Sequence, residues 1–140
     1  MAKRKILIID DSAFTRKVLS SIIEKDGRLE IIGTAKDGKE GLNMALELNP
    51  DVISVDVEMP VMNGLNMIKE LMSKKNIPIV VVSSLTKEGA KETIQALEYG
   101  AFDFIAKPSS IFGLKNEEVF AEYTEKVYAA AMSKKQTIGE

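Results

Sequence analysis

The chain has 140 residues, 45% apolar and 29% charged, which is the size and balance of one globular domain able to bury a core. A net charge of −2 leaves no basic footprint for nucleic acid, and no apolar run approaches the ~18 residues of a membrane span. The sequence contains no Cys and no His, which rules out disulfides, thiolate or imidazole metal sites, a Ser–His–Asp triad and a histidine general base within these residues.

No signal-peptide pattern opens the chain, and Lys3, Arg4 and Lys5 lead straight into an apolar run. With the lack of Cys, this fits a reducing, cytoplasmic setting.

Ile6 to Ile9 is the first predicted strand, apolar at every position as a strand covered on both faces should be. It stops at Asp10-Asp11-Ser12, where Ser12 or Asp11 can cap a helix carrying Phe14, Val18, Leu19, Ile22 and Ile23 at helical spacing. Asp26-Gly27 ends that helix. Leu29 to Thr34 is a second strand, Asp37-Gly38 a turn, and Leu42, Ala45, Leu46 and Leu48 mark a second helix stopped by Asn49-Pro50.

Val52 to Val55 is the third strand, leading into Asp56. A turn containing Pro60 and closed by Asn63-Gly64 follows, then a helix with Leu65, Ile68, Leu71 and Met72. Ile77 to Val82 is a fourth strand, apolar enough to lie inside the sheet, and Ser83-Ser84 ends it. Ala90, Ile94 and Leu97 mark a fourth helix ending at Gly100. Phe102 to Ala106 is a fifth strand, followed by Lys107-Pro108. Beyond a Ser- and Gly-containing connection, Val119, Tyr123, Val127 and Ala130 mark a last helix. The methionines 59, 62, 67 and 72 read as loop and core packing. Residues 1–132 are expected to form one domain, and residues 133–140 a polar tail or linker stub.

Strict alternation of strand and helix predicts an α/β fold with helices on both faces of a parallel sheet. Five strands suit the flavodoxin-like order 2-1-3-4-5, a (βα)5 three-layer sandwich. In such sheets ligands bind beyond the carboxyl ends of the strands, at the switch point between the first and third. Those strands end in Asp10-Asp11 and Asp56, while the fourth and fifth end in Ser83 and Lys107.

Taken singly, Asp11 reads as a helix cap, Asp56 as a strand end held by backbone amides, Ser83 as structural and Lys107 as a solvated charge. Together at the ends of four strands they make a site. Two carboxylates ~5 Å apart repel by roughly 3 kcal/mol at an effective dielectric near 20, so the cluster calls for a cation. Oxygen ligands alone point to a hard ion: Mg²⁺ first, with Mn²⁺ or Ca²⁺ as alternatives. A carboxylate, a cation, an ammonium and a hydroxyl together suit phosphoryl transfer, with Asp56 as nucleophile.

These residues resemble the receiver domain of two-component response regulators. The resemblance rests on Asp10-Asp11, on Asp56 followed by Met59-Pro60 and Gly64, on Ser83, and on Lys107-Pro108, and it spans about Lys5 to Ala131. It implies that Asp56 accepts a phosphoryl group from a sensor histidine kinase. Asp10, Asp11, Asp56 and the main-chain carbonyl of Glu58 would hold Mg²⁺, with Asp10 acting partly through water. Ser83 would bond a phosphoryl oxygen, Lys107 would pair with it, and Ser83 and Phe104 would form the switch. The Lys107–Pro108 bond is cis in the family.

Asp-Val-Glu-Met-Pro, Val-Ser-Ser-Leu-Thr and Gly-Ala-Phe-Asp-Phe-Ile-Ala-Lys-Pro-Ser are similar to the receiver half of chemotaxis protein-glutamate methylesterases. These residues contain no Gly-x-Ser-x-Gly and no His, so ester hydrolysis is not expected of them. The expectation is therefore a regulatory half with a tethered or separate output domain, or a single-domain receiver, with no nucleic acid, membrane or small-molecule cofactor. Two rivals remain. A Mg²⁺-dependent aspartyl-phosphate phosphatase needs a general acid and a capping insertion, neither of which is evident. A flavin module needs a phosphate-cradling loop where Asp10-Asp11 would repel the phosphate.

Overall fold

The computed structural model describes residues 2–59, 62–84, 86–107 and 117–133. In chain order the elements are β1 (Arg4–Ile9), α1 (Ala13–Glu24), β2 (Leu29–Ala35), α2 (Gly38–Leu48) and β3 (Val52–Asp56). They continue as α3 (Gly64–Met72), β4 (Ile79–Ser83), α4 (Lys87–Glu98), β5 (Asp103–Ala106) and α5 (Glu117–Ser133). The strands form one parallel sheet of order β2-β1-β3-β4-β5, the flavodoxin-like arrangement.

Period-two alternation sorts the strand side chains into two cores. Leu7, Ile9, Ile53, Val55, Ile79 and Val81 face one side and pack with Leu42 and Ala45 of α2, Ile68 and Leu71 of α3, and Ala96 of α4. Ile6, Ile8, Val52, Val80 and Val82 face the other and pack with Leu19 and Ile23 of α1 and Tyr123 and Val127 of α5. Each fully buried aliphatic side chain contributes roughly 1.5–3 kcal/mol. The strand interiors therefore hold the layers together with few polar contacts. An exception is Ser54, whose hydroxyl accepts a 2.8 Å bond from Tyr123 across the second core.

Local chemistry sets the boundaries. Ser12 caps α1 by accepting from the Thr15 amide, and Asp37, expected as a turn residue, caps α2 through the Glu40 amide. Asn49 ends α2 with a φ of 50° and Gly100 follows α4 with a φ of 115°, both in the left-handed region. β4 begins at Ile79, two residues later than the apolar run suggests, because Pro78 has no amide hydrogen to donate.

The expected stripe on α4 is corrected. Its buried residues are Gly89, Thr93 and Ala96, whereas Ile94 is 58% exposed and Leu97 37%. Helical spacing places Ile94 and Leu97 on a shared face, but that face is not turned into the core. On α1, Phe14 is likewise exposed. Met59 and Met67 are buried, and Met62 and Met72 pack against the first core, as expected. The cis bond expected at Pro108, the turn at Pro60 and residues 134–140 of the tail lie outside the described residues.

Candidate functional site

Strand register builds the site. Ile9 of β1 is level with Val55 of β3, so the next residues, Asp10 and Asp56, emerge side by side. Asp56 in turn is level with Val82, and Ser83 with Ala106. The Lys107 amide extends β5 by donating to the Ser83 carbonyl at 2.7 Å, which aims the lysine over the same edge. Gly64 lets the start of α3 close in from below: a Cβ there would stand 2.6 Å from Val57 Cα and 2.7 Å from the Asp56 carbonyl oxygen.

Asp10, Asp11 and Asp56 each offer an oxygen within 4.8 Å of the others. Asp10 and Asp56 are both 1% exposed, while Asp11 is exposed. Asp56 Oδ1 accepts from the Glu58 amide at 2.8 Å, and Oδ2 accepts from Lys107 Nζ at 2.7 Å. Asp10 Oδ1 accepts from the Ser12 amide at 2.9 Å, but its Oδ2 is buried and has no partner among the described residues. The neighbouring guanidinium of Arg16 donates at 2.6 Å to the Asp10 main-chain carbonyl.

Electrostatics follow from this arrangement. Burial pushes the Asp10 carboxyl up to about 6; the Ser12 amide opposes the rise, and the Asp56 charge adds to it. Burial also raises Asp56 above the ordinary carboxylate range, outweighing its bond to Lys107. Burial alone would depress the Lys107 ammonium, but its hydrogen bond to Asp56 and the three carboxylate charges hold it above its ordinary value. Three carboxylates facing one ammonium leave an excess of negative charge and an orphaned buried oxygen. That donor set fits a hard divalent cation.

Ser83 is brought to this edge, but its hydroxyl is engaged elsewhere. Thr93 Oγ1 of α4 lies 2.8 Å from Ser83 Oγ and 2.7 Å from the Gly89 carbonyl oxygen, and both hydroxyl-bearing residues are buried. Phe104 lies on β5 and is 44% exposed. Lys126 Nζ donates at 2.7 Å to the Phe104 carbonyl and sits 5.0 Å from the ring centroid. Between α4 and β5 is a cavity of about 410 Å³ lined by Ser83, Thr93, Ile94, Leu97, Phe104 and Ala106. A larger cleft of about 900 Å³ between α1 and α5 contains none of the three aspartates.

Several contacts at the site were not anticipated from sequence, and two of them involve the serines that end β4. The Thr93 link is one. The other is the Ser84 hydroxyl, which donates at 2.6 Å to Glu58 Oε1 and lies 3.0 Å from the Thr86 hydroxyl that caps α4. A single Thr inside a helix and a second Ser after a strand carry no signal of their tertiary partners.

A parallel sheet of this order with an acidic pocket and a lysine at its carboxyl edge defines a flavodoxin-like α/β domain with a cation- and anion-competent site. The chain belongs to the response regulator receiver domain family, whose model matches residues 6–117. It is 51% identical over 126 residues to a protein-glutamate methylesterase/protein-glutamine glutaminase of Halalkalibacterium halodurans, covering 90% of this chain and 36% of that relative. The chain thus spans about a third of the length of the curated relatives it matches. Among solved structures it is similar to the response regulator domain of Thermotoga maritima CheB, at 43% identity and a TM-score of 0.85, covering 96% of this chain and all of that one. The CheX–CheY–BeF3–Mg complex of Borrelia burgdorferi matches at 31% identity and a TM-score of 0.74, covering 90% of this chain and 87% of that one. This chain is a receiver domain homologous to the CheB regulatory domain. No helix among the described residues is long and apolar enough to cross a membrane.

Proposed function

We propose that Asp56 is the phosphoacceptor of this receiver and that its phosphorylation by a sensor histidine kinase of the chemotaxis type switches the α4–β5–α5 face. The observation that carries this reading is the buried Asp56 carboxylate, paired at 2.7 Å with Lys107 and facing two further aspartates at the sheet's carboxyl edge.

In the reaction an Asp56 oxygen attacks the phosphorus of a phosphohistidine. The P–N bond breaks, its electron pair stays on the imidazole nitrogen, and an O–P bond forms. Lys107 stays protonated throughout and faces the incoming phosphoryl oxygens, as its raised pKa favours. The Glu58 amide fixes the Asp56 rotamer through Oδ1. Asp10, Asp11, Asp56 and the Glu58 carbonyl would hold Mg²⁺ or Mn²⁺, which would screen the repulsion between the carboxylates and the phosphoryl group. The aspartyl phosphate carries roughly −1.5 to −2 of charge beside Lys107 in place of the single carboxylate charge, and Ser83 supplies a hydroxyl to it.

The output surface includes Ile94, Leu97 and Phe104, exposed apolar side chains that line one cavity between α4 and β5. With Ser83 drawn toward the phosphoryl group, Phe104 can enter the neighbouring cavity and reshape that face. Residues 1–132 act as the receiver and residues 133–140 as its tail or linker, in a cytoplasmic protein. The similarity to methylesterases supports a role as the regulatory half of such an enzyme, with ester hydrolysis belonging to a catalytic domain elsewhere. The segment itself performs only phosphoryl transfer to Asp56 and hydrolysis of the product. Borohydride reduction of the phosphorylated protein tests the acceptor: homoserine at position 56 supports the reading, and homoserine at any other aspartate refutes it.

A further inference from the structure

Ser83 has two possible partners and one hydroxyl. Its Oγ lies 2.8 Å from Thr93 Oγ1, inside the protein and on the α4 side, while both oxygens of Asp56 are occupied by Glu58 and Lys107. Thr93 has one proton for two neighbouring oxygens; with that proton on the Gly89 carbonyl, Ser83 donates its own to Thr93, and a phosphoryl oxygen on Asp56 must compete with Thr93 for that donor. We propose that Thr93 is a positioning residue that holds the Ser83 hydroxyl on α4 in the unphosphorylated protein and so sets the balance between the resting and phosphorylated states. This rests on the reading of Asp56 as acceptor.

The two hydroxyls stand in unequal positions. Thr93 Oγ1 is also 2.7 Å from the Gly89 carbonyl four residues earlier, so its proton keeps an acceptor when Ser83 departs. Ser83 is only 6% exposed and needs a replacement partner, which the phosphoryl group supplies. The latch therefore opens without orphaning a buried group on α4. Because Thr93 also lines the cavity beside Phe104, its release of Ser83 occurs at the wall of the space the aromatic would enter. Removing the Thr93 hydroxyl leaves the buried Ser83 poorly satisfied in the resting state alone, and the equilibrium shifts toward the state in which Ser83 has a partner.

The test is titration with beryllium fluoride in saturating Mg²⁺, followed by tyrosine fluorescence or ¹⁹F NMR, on wild type, Thr93→Val, Thr93→Ala and Thr93→Ser. Thr93→Val should bind the phosphoryl mimic about 3- to 10-fold more tightly than wild type, as expected for loss of one hydrogen bond in the resting state. Thr93→Ala should shift in the same direction, and Thr93→Ser should match wild type. In a Ser83→Ala background the Thr93→Val effect should vanish, which a purely structural role for Thr93 would not produce. Unchanged or weaker binding by both Thr93→Val and Thr93→Ala, or an undiminished Thr93→Val effect without Ser83, overturns the proposal. If wild type fails to bind the mimic, or Asp56→Asn binds it equally, the reading of Asp56 fails instead.

Discussion

Lys107 Nζ stands 2.7 Å from Asp56 Oδ2, joining the end of β5 to the end of β3 through a carboxylate that is 1% exposed. A buried ion pair is weak evidence of net stability, since two desolvated charges largely cancel its attraction. Its value under the proposed reading is geometric: it holds the proposed acceptor and the Lys107 ammonium together before any phosphoryl group arrives.

Lys107→Met removes one partner and leaves the other. At pH 7 the variant should lose about 1–3 kcal/mol of stability, discounted from a fully buried pair because Lys107 is partly solvated. Without the ammonium the Asp56 pKa rises further, so the loss should shrink as pH falls and Asp56 takes up a proton. Denaturant melts at pH 7 and pH 5 check this, and phosphorylation by acetyl phosphate should slow at least tenfold.

Asp10 predicts an unusual pH dependence. Its folded pKa of about 6 lies above the ordinary 3.8, so between these values the folded state holds a proton that the unfolded state has lost. Cation-free stability should therefore fall as pH rises from about 4 to 6, by up to about 3 kcal/mol from this group. Asp10→Asn should remove this share of the slope and leave the part of the same sign that the raised Asp56 carboxyl contributes. Millimolar Mg²⁺ should raise the wild-type melting temperature at pH 7, lose affinity below pH 6 and release protons on binding near pH 6; calorimetry in buffers of different ionisation enthalpy reads the proton count.

Gly64→Ala drives a methyl group into backbone, where no side chain can move aside. A destabilisation of about 1–3 kcal/mol is expected. Because the contact is with Asp56 and Val57, Mg²⁺ affinity should fall as well. A purely local effect on α3 would leave it unchanged.

Tyr123→Phe strands the buried Ser54 hydroxyl and should cost about 1–3 kcal/mol. Adding Ser54→Ala should recover much of the loss, since no unpaired polar group then remains. Thermal melts of the four proteins of this double-mutant cycle measure the coupling directly.

Much of the site was legible in the residues because a strand covered on both faces must be apolar throughout, so a polar residue at its end stands out. Asp10 and Ser83 follow such runs and Asp56 follows one broken only by Ser54, whereas Lys107 follows the edge strand β5 with its Asp103 and exposed Phe104; parallel register brings the strands level. Helix faces were less legible. Ile94 and Leu97 have core spacing yet flank the exposed Phe104, since periodicity shows which residues share a face and not what covers it. The resting orientation of Ser83 was hidden for a similar reason: its partner Thr93 lies ten residues away on another element, and the choice between two acceptors is made by packing.

Treatment with acetyl phosphate and Mg²⁺ at neutral pH, followed by intact mass measurement of wild type and Asp56→Asn, tests the central claim most directly. Wild type should gain a single phosphoryl group, and none when Mg²⁺ is omitted from the reaction, while Asp56→Asn should gain none. Equal labelling of Asp56→Asn and wild type would contradict the assignment of Asp56 as the acceptor.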